Sequence, residues 1–146
     1  MSTFFESIVA FAGRIFLSAI FIASGVHKLT AWQQTLDQME SHGVPSPGVL
    51  LVVATTLELA GGVGLLLGCW TRVSAALLIV FLIPVTYYFH GFWTLSGAEE
   101  QQQMIHFMKN TAIFGGLCYV LANGSGRIGV DQYIRRRVQR LKALHD

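Results

Sequence analysis

Three ionisable side chains stand inside long apolar stretches of the sequence, where a charge needs a partner or a function. Glu58 lies near the middle of the apolar run 49–68, Arg14 lies in the first span and Lys109 lies near the start of the fourth. A charged group at membrane depth costs about 2.5–3.5 kcal/mol on insertion scales, so each is by default a functional residue or half of an ion pair. A carboxylate there can exchange protons, and a surplus of cations favours an anion or a polar headgroup.

Two histidines and an asparagine extend this set of candidates. His106 and Lys109 are about one turn apart on one helical face, Asn110 follows directly, and His90 precedes a polar loop. As a functional residue His106 is a proton relay or a ligand donor, and otherwise it is an interfacial histidine. His90 and His106 fit no known metal-ligand spacing, and neither lies deep enough to hold a haem between spans, so we predict no metal site.

The elements that carry these residues are predicted to be membrane helices. The 146 residues are 53% hydrophobic and only 12% charged, whereas a soluble domain usually carries about a quarter charged residues. The predicted fold is a single all-α domain over 1–146, an integral membrane four-helix bundle. Four apolar runs have about the length that crosses a bilayer, and they predict spans at 4–26, 49–68, 73–89 and 104–122. No basic residue precedes Arg14, so we expect the first span to be retained rather than cleaved as a signal peptide.

A basic amphipathic segment follows the last apolar run. Apolar residues recur there at Val130, Ile134, Val138 and Leu141, and the other faces are basic. This pattern over 130–145 predicts a short C-terminal helix on anionic lipid, in preference to a nucleic-acid-binding helix. Arg72 and the six basic residues of 127–142 would share one side of the membrane, against Lys28 on the other. The positive-inside rule therefore predicts that both termini are cytoplasmic.

The intramembrane charges are predicted to lie at similar depths in the bilayer, which allows them to form one cluster. Arg14 and Glu58 both fall near the midplane, and Lys109 falls a turn or two above Glu58 on the outer side. In a structural interpretation Arg14 and Glu58 form an ion pair that fixes the packing of the spans. In a functional interpretation Glu58 is catalytic, as the proton-exchanging floor of an outward-opening cationic pocket. The ligand-binding residues would then be Arg14, Lys28, His106, Lys109, Asn110 and His90.

The order and spacing of three segments resemble the DoxX family of small four-helix membrane proteins. The segments are RIFLSAIFIASGVHKL at 14–29, ELAGGVGLLLGCWTR at 58–72 and FMKNTAIFGGL at 107–117. The outer loop HGFWTLSG at 90–97 and the Gly-rich exit NGSGRIGVD at 123–131 are also similar to family members. The family pattern falls on Arg14, Gly25, Lys28, Glu58, Gly68, Arg72, Lys109, Asn110 and Asp131.

The resemblance implies a bundle in a bacterial cytoplasmic (inner) membrane, and it suggests a function because related proteins are named for membrane subunits of thiosulfate:quinone oxidoreductases. The first hypothesis is therefore a redox-complex subunit that holds a quinone or a sulfur oxyanion near Arg14, Glu58 and Lys109. No haem, flavin or metal motif accompanies these residues, and Cys69 and Cys118 form no CxxC pair. The second hypothesis is a non-catalytic assembly partner or small-solute transporter with structural buried charges. The expected partners are the lipid bilayer and a protein partner or second copy, and no nucleic acid.

Overall fold

The computed structural model describes residues 2–144, and within them the chain is helical with no strand. The six helices are α1 (Ser2–Thr30), α2 (Trp32–Ser41), α3 (Pro47–Leu67), α4 (Thr71–Phe89), α5 (Ala98–Asn123) and α6 (Val130–Lys142). The all-α prediction is confirmed. The tail helix begins where the sequence predicts and ends at Lys142, while position 145, the predicted end, lies outside the described residues.

Three helices of the described chain are long and apolar enough to cross a membrane, namely Phe4–Thr30, Pro47–Leu67 and Thr71–Phe89. They match the first three predicted spans, although α1 continues four residues past the predicted end. The fourth predicted span is also helical, but α5 begins at Ala98 and carries a polar first turn. That polar turn and Lys109 make α5 less apolar than the other three helices.

The four long helices pack side by side in the order α1, α3, α4, α5, while α1 and α5 approach each other only weakly. Glycines permit the two closest approaches of α1 to α3. A Cβ at Gly25 would lie 2.7 Å from Leu59 Cγ, and a Cβ at Gly62 would lie 2.8 Å from Ile22 Cγ1. Small residues on both helices thus form the α1–α3 packing surface, as is common between membrane helices.

The outer surface of the bundle is apolar, as a lipid-facing surface requires. Phe16, Val80 and Ile83 are among many large apolar side chains that are more than half exposed. A monomeric soluble protein rarely exposes a contiguous apolar area of this extent. The small core of fully buried leucines, Leu65, Leu78 and Leu117, lies between the helices.

The two ends of the bundle differ in composition. The basic end, as we name it, contains the α3–α4 turn (68–70), the last turn of α5 and the basic helix α6. The opposite end contains α2 and the loop 90–97. There α2 covers the start of α3 through Met39 and Leu51, which share a small apolar cluster with Val44.

Candidate functional site

Glu58 is paired with Lys28, on the side of α3 that faces α1. The carboxylate is 3% exposed, and Lys28 Nζ lies 2.9 Å from each of its oxygens, donating a hydrogen bond to Oε1. Oε2 is at ion-pair distance but accepts no hydrogen bond. Ser24 completes the group, because its hydroxyl donates to Oε1 over 2.9 Å and accepts from Lys28 Nζ over 2.8 Å. Lys28 of the neighbouring helix α1 therefore neutralises the carboxylate.

The predicted ion pair between Arg14 and Glu58 is wrong. Arg14 is 2% exposed, and its Nη1 donates to the carbonyl of Leu65 over 3.0 Å while its Nη2 donates to the carbonyl of Ile128. Because α1 and α3 are antiparallel, the residue level with Arg14 is Leu65, seven positions beyond Glu58, which is about 10 Å along the helix axis. Lys28, expected to extend to the membrane interface, turns to the carboxylate instead.

Arg14 closes the C-terminal end of α3 together with a glycine turn. Gly68 adopts a left-handed conformation at φ +67°, and its N–H donates to Leu65 O over 3.2 Å while Cys69 N–H donates to Gly64 O over 3.0 Å. This is the pairing of a Schellman motif, which satisfies the carbonyls left free at a helix end. The Arg14 guanidinium adds a second donor to Leu65 O and lies 5.5 Å from the ring centre of Phe11.

Asp131 joins the tail to the start of α4. Its Oδ1 accepts from Trp70 N–H over 2.8 Å, and its Oδ2 accepts from the Thr71 N–H over 2.9 Å and from the Thr71 hydroxyl over 2.8 Å. Its own N–H donates to Gly68 O over 2.9 Å. Partial burial opposes ionisation, but these hydrogen bonds and the charge of Arg135 together hold the pKa of Asp131 below its usual value. The carboxylate therefore caps the α4 N-terminus from another segment of the chain.

The candidate residues on α5 and before it form a separate group at the opposite end. The rings of His90 and His106 stack with centroids 5.0 Å apart, and His90 Nδ1 hydrogen-bonds Gln103 Oε1 over 2.9 Å. Asn110 Nδ2 donates to Thr86 Oγ1 on α4 over 3.0 Å. Lys109 is exposed on α5 near His106, whereas the side chains that bond Glu58 are Lys28 and Ser24.

The predicted single cluster of Arg14, Glu58 and Lys109 is therefore not formed. Its members occupy three places: Arg14 at the basic end, Glu58 with Lys28 on the other half of the α1–α3 interface, and Lys109 on α5. Among the described residues no group of three or more His, Cys, Asp and Glu side chains could hold a metal ion.

A cleft of about 880 Å³ opens between α1 and α5 at the basic end. Its lining is mainly apolar and includes Phe5, Val9, Gly13, Leu17 and Tyr119, and its polar members include Glu6, Arg14 and Arg127. Sequence analysis missed this site. The available signal was the pair of glycines on facing helices: a Cβ at Gly13 would meet nothing within 4 Å, and Gly116 packs directly against Leu17.

Comparison with known proteins identifies relatives along most of the chain. The DoxX family model matches residues 9–91. Inner membrane protein YphA of Escherichia coli (strain K12) is 30% identical over 119 residues, 82% of this chain and 85% of YphA. Inner membrane protein YqjF of the same organism is 30% identical over 132 residues, 90% and 96% of the two chains. Surfeit locus protein 4 homolog of Drosophila melanogaster is 23% identical over 133 residues, 90% of this chain and 43% of that protein.

No solved structure matches the chain. The family model covers more than half of the sequence, and both bacterial relatives align over most of their own length. Two of the three segments on which the resemblance rests, 14–29 and 58–72, lie inside the matched region. The chain belongs to the DoxX family.

Proposed function

We propose that the protein is a four-span protein of the bacterial inner membrane, with both termini in the cytoplasm. The relatives YphA and YqjF are named as inner membrane proteins. The basic end carries Arg72, Arg127 and α6, and seven of the ten Lys and Arg residues are Arg72 or lie after residue 126. The positive-inside rule supports a cytoplasmic location for this end.

The proposal includes α5 as the fourth span. This helix packs extensively along α4, which is itself apolar enough to cross a membrane. Near the opposite end Asn110 bonds Thr86 of α4, and at the basic end Arg72 Nη2 donates to the Ala122 carbonyl over 2.9 Å. Since α5 accompanies α4 between these two contacts, it occupies the same range of depth.

The function that this geometry supports best is the binding of an amphiphilic ligand with an oxygen-bearing headgroup, such as a quinone, in the cleft between α1 and α5. The observation that carries the proposal is the cleft itself with Arg14 in its wall. Small-molecule sites are mostly apolar and measure about 300–1,000 Å³, and this cleft falls in that range. A ligand tail would contact Phe5, Val9 and Leu17.

Arg14 fits the headgroup of such a ligand. Both Nη atoms donate to neutral carbonyls, and the Nε has no hydrogen-bond partner. Asp131 is the carboxylate whose charge attracts the guanidinium, but it does not lie at ion-pair distance. The guanidinium therefore gives this wall of the cleft a positive charge, which favours carbonyl or anionic oxygens.

Because Glu58 does not line the cleft, the candidate group for proton exchange becomes Glu6 instead of Glu58. Glu6 is the carboxylate among the described lining residues, whereas Glu58 is bound to Lys28 on another face of α1. A bound quinone would supply the electron-accepting and proton-accepting chemistry, with electrons from a partner protein. This chain would hold the ligand, exclude water with its apolar wall and offer Glu6 as the group that exchanges a proton.

A pair of glycine substitutions tests the cleft. Gly13 lines the cleft and Gly115 of α5 does not, yet a Cβ at either position would meet nothing within 4 Å. Gly13→Leu fills the cleft, while Gly115→Leu matches it in helix propensity. Reconstituted protein is titrated with short-chain ubiquinone and menaquinone analogues, with tryptophan fluorescence as the readout. We expect Gly13→Leu to weaken binding about tenfold or more, a loss of at least about 1.4 kcal/mol, and Gly115→Leu to bind as wild type. Equal binding by the two variants, or none by wild type, would refute the proposal.

A second candidate function has its own observation. The buried charges are held within the chain: Glu58 by Lys28, and Arg14 by two carbonyls. This favours a non-catalytic membrane protein that assembles with another chain. If that function holds, partner chains identified by cross-linking and mass spectrometry in membranes will be the same for Gly13→Leu and wild type.

A further inference from the structure

The last helix, α6, presents an apolar stripe that no other part of the described chain covers. None of its residues is buried, and Ile134, Val138 and Leu141 are each about half exposed. At 3.6 residues per turn these residues and Val130 lie within about a quarter of the helix circumference. The helix is therefore amphipathic, and its apolar stripe has no protein partner in the described structure.

Basic residues border this stripe on both sides. Arg135 and Lys142 lie along one edge, Arg137 and Arg140 lie along the other, and the face opposite the stripe carries Gln132, Arg136 and Gln139. Long cationic side chains on both edges can contact lipid phosphates while the stripe enters the apolar boundary.

The first turn of α6 is held at the level where α3 ends and α4 begins. Asp131 accepts hydrogen bonds from Trp70 and Thr71, and its N–H donates to Gly68 O. Trp70 is 73% exposed beside this contact, as suits a tryptophan at a membrane interface. The start of α6 is thus fixed beside the α3–α4 turn, and a bilayer crossed by α3 and α4 would have its headgroups at this level.

We propose that α6 lies on the anionic lipid surface of the membrane at the basic end, with its apolar stripe in the headgroup–acyl boundary and its bordering Arg and Lys residues on lipid phosphates. The inference rests on the part of the proposed function in which α3 and α4 span the bilayer, and it does not depend on the ligand cleft. Asp131 acts as the anchor that gives the helix its position.

The test places an environment-sensitive fluorophore on single cysteines of the full chain. Cys69 and Cys118 are free thiols and are first replaced by Ala. Labels are then attached at Ile134→Cys on the stripe and at Gln139→Cys on the opposite face. The protein is reconstituted in phosphatidylcholine vesicles with or without one quarter phosphatidylglycerol. We expect a blue-shifted emission and protection from an aqueous quencher at position 134 only, stronger with phosphatidylglycerol and weaker at high salt.

Charge removal and a depth control complete the experiment. Neutralising Arg137 or Arg140 to Gln should lower the equilibrium constant for docking, the ratio of docked to undocked helix, roughly fivefold for each charge. A third label at Val80→Cys, on an exposed face of α4, reports whether that helix lies in the acyl region. If the label at position 134 reports water while the label at position 80 reports the acyl region, the inference about α6 is wrong and the spanning proposal stands. If the label at position 80 reports water, both the spanning proposal and the inference about α6 are wrong. Protection at position 134 that depends on protein concentration but not on phosphatidylglycerol would assign the stripe to a second copy and also overturn the inference.

Discussion

The ion pair between Lys28 and Glu58 gives a quantitative prediction, because its two members differ in exposure. The Lys28 side chain is 19% exposed and the Glu58 side chain 4%. Lys28→Met leaves a carboxylate that cannot reach water, so we expect a loss of about 3 kcal/mol in the free energy of unfolding. Glu58→Met leaves an ammonium group on a long stem near the end of α1, which can turn outward, so we expect a loss of about 1 kcal/mol.

The double variant separates a structural pair from a functional one. With both charges replaced by Met the site is apolar, and Ser24 can bond a carbonyl of its own helix. Replacement of a buried pair by apolar residues is often close to neutral, so the double variant should lie within about 1 kcal/mol of wild type. It should therefore be more stable than Lys28→Met alone.

The assay is reversible unfolding in mixed micelles with increasing dodecyl sulfate, followed by far-UV circular dichroism. The same variants are then titrated with the quinone analogues. Losses that simply add in the double variant would show that the two charges are not energetically coupled. A larger loss for Glu58→Met than for Lys28→Met would refute the argument from exposure. A double variant that folds and binds ligand as wild type would establish that Glu58 is a structural residue.

Two further predictions concern the basic end. Asp131→Asn should lower the free energy of unfolding by about 1–2 kcal/mol at neutral pH, because the amide loses the negative charge and one of the two acceptor oxygens that bond Trp70 and Thr71. Because the folded pKa of Asp131 is lowered, this stability is present above the ordinary Asp pKa of about 3.9 and is lost as the pH falls through the lower folded value, so unfolding curves of wild type and variant should converge in acid. Gly68→Ala should destabilise more than Gly43→Ala, by about 1 kcal/mol or more. Both glycines have φ near +67°, but only at position 68 would the new Cβ crowd a neighbour, at 2.8 Å from Gly129 Cα; equal losses in dodecyl sulfate unfolding would contradict this.

The helices were the predictable part of the fold. A bilayer sets the length of an apolar helix, so the runs 49–68 and 73–89 identify α3 and α4 within two residues. Where apolarity gives no boundary the prediction was less accurate, as at the end of α1 and at the polar start of α5.

The pairing of the charges was not predictable from depth alone. The partners of Arg14 are backbone carbonyls of Leu65 and Ile128, and a carbonyl acceptor leaves no trace in the sequence. Lys28 lies two residues beyond the predicted end of the first span, so it was assigned to the interface although it reaches Glu58. The position of Asp131 had a detectable signal, an acidic residue directly after a Gly-rich segment, but its target at Trp70 and Thr71 depends on the tertiary fold.

Polar contacts tie α1 to α3 and α4 to α5. Lys28 and Glu58 hold α1 to α3 toward the opposite end, and Arg14 holds the same two helices at the basic end. Arg72 holds α4 to α5 through the Ala122 carbonyl. The cleft lies between α1 and α5, which approach each other only weakly. Because these two helices are loosely packed, an amphiphile can enter between them. A Cβ at Gly13 would meet nothing within 4 Å, so a substitution there should change ligand binding while leaving the fold intact.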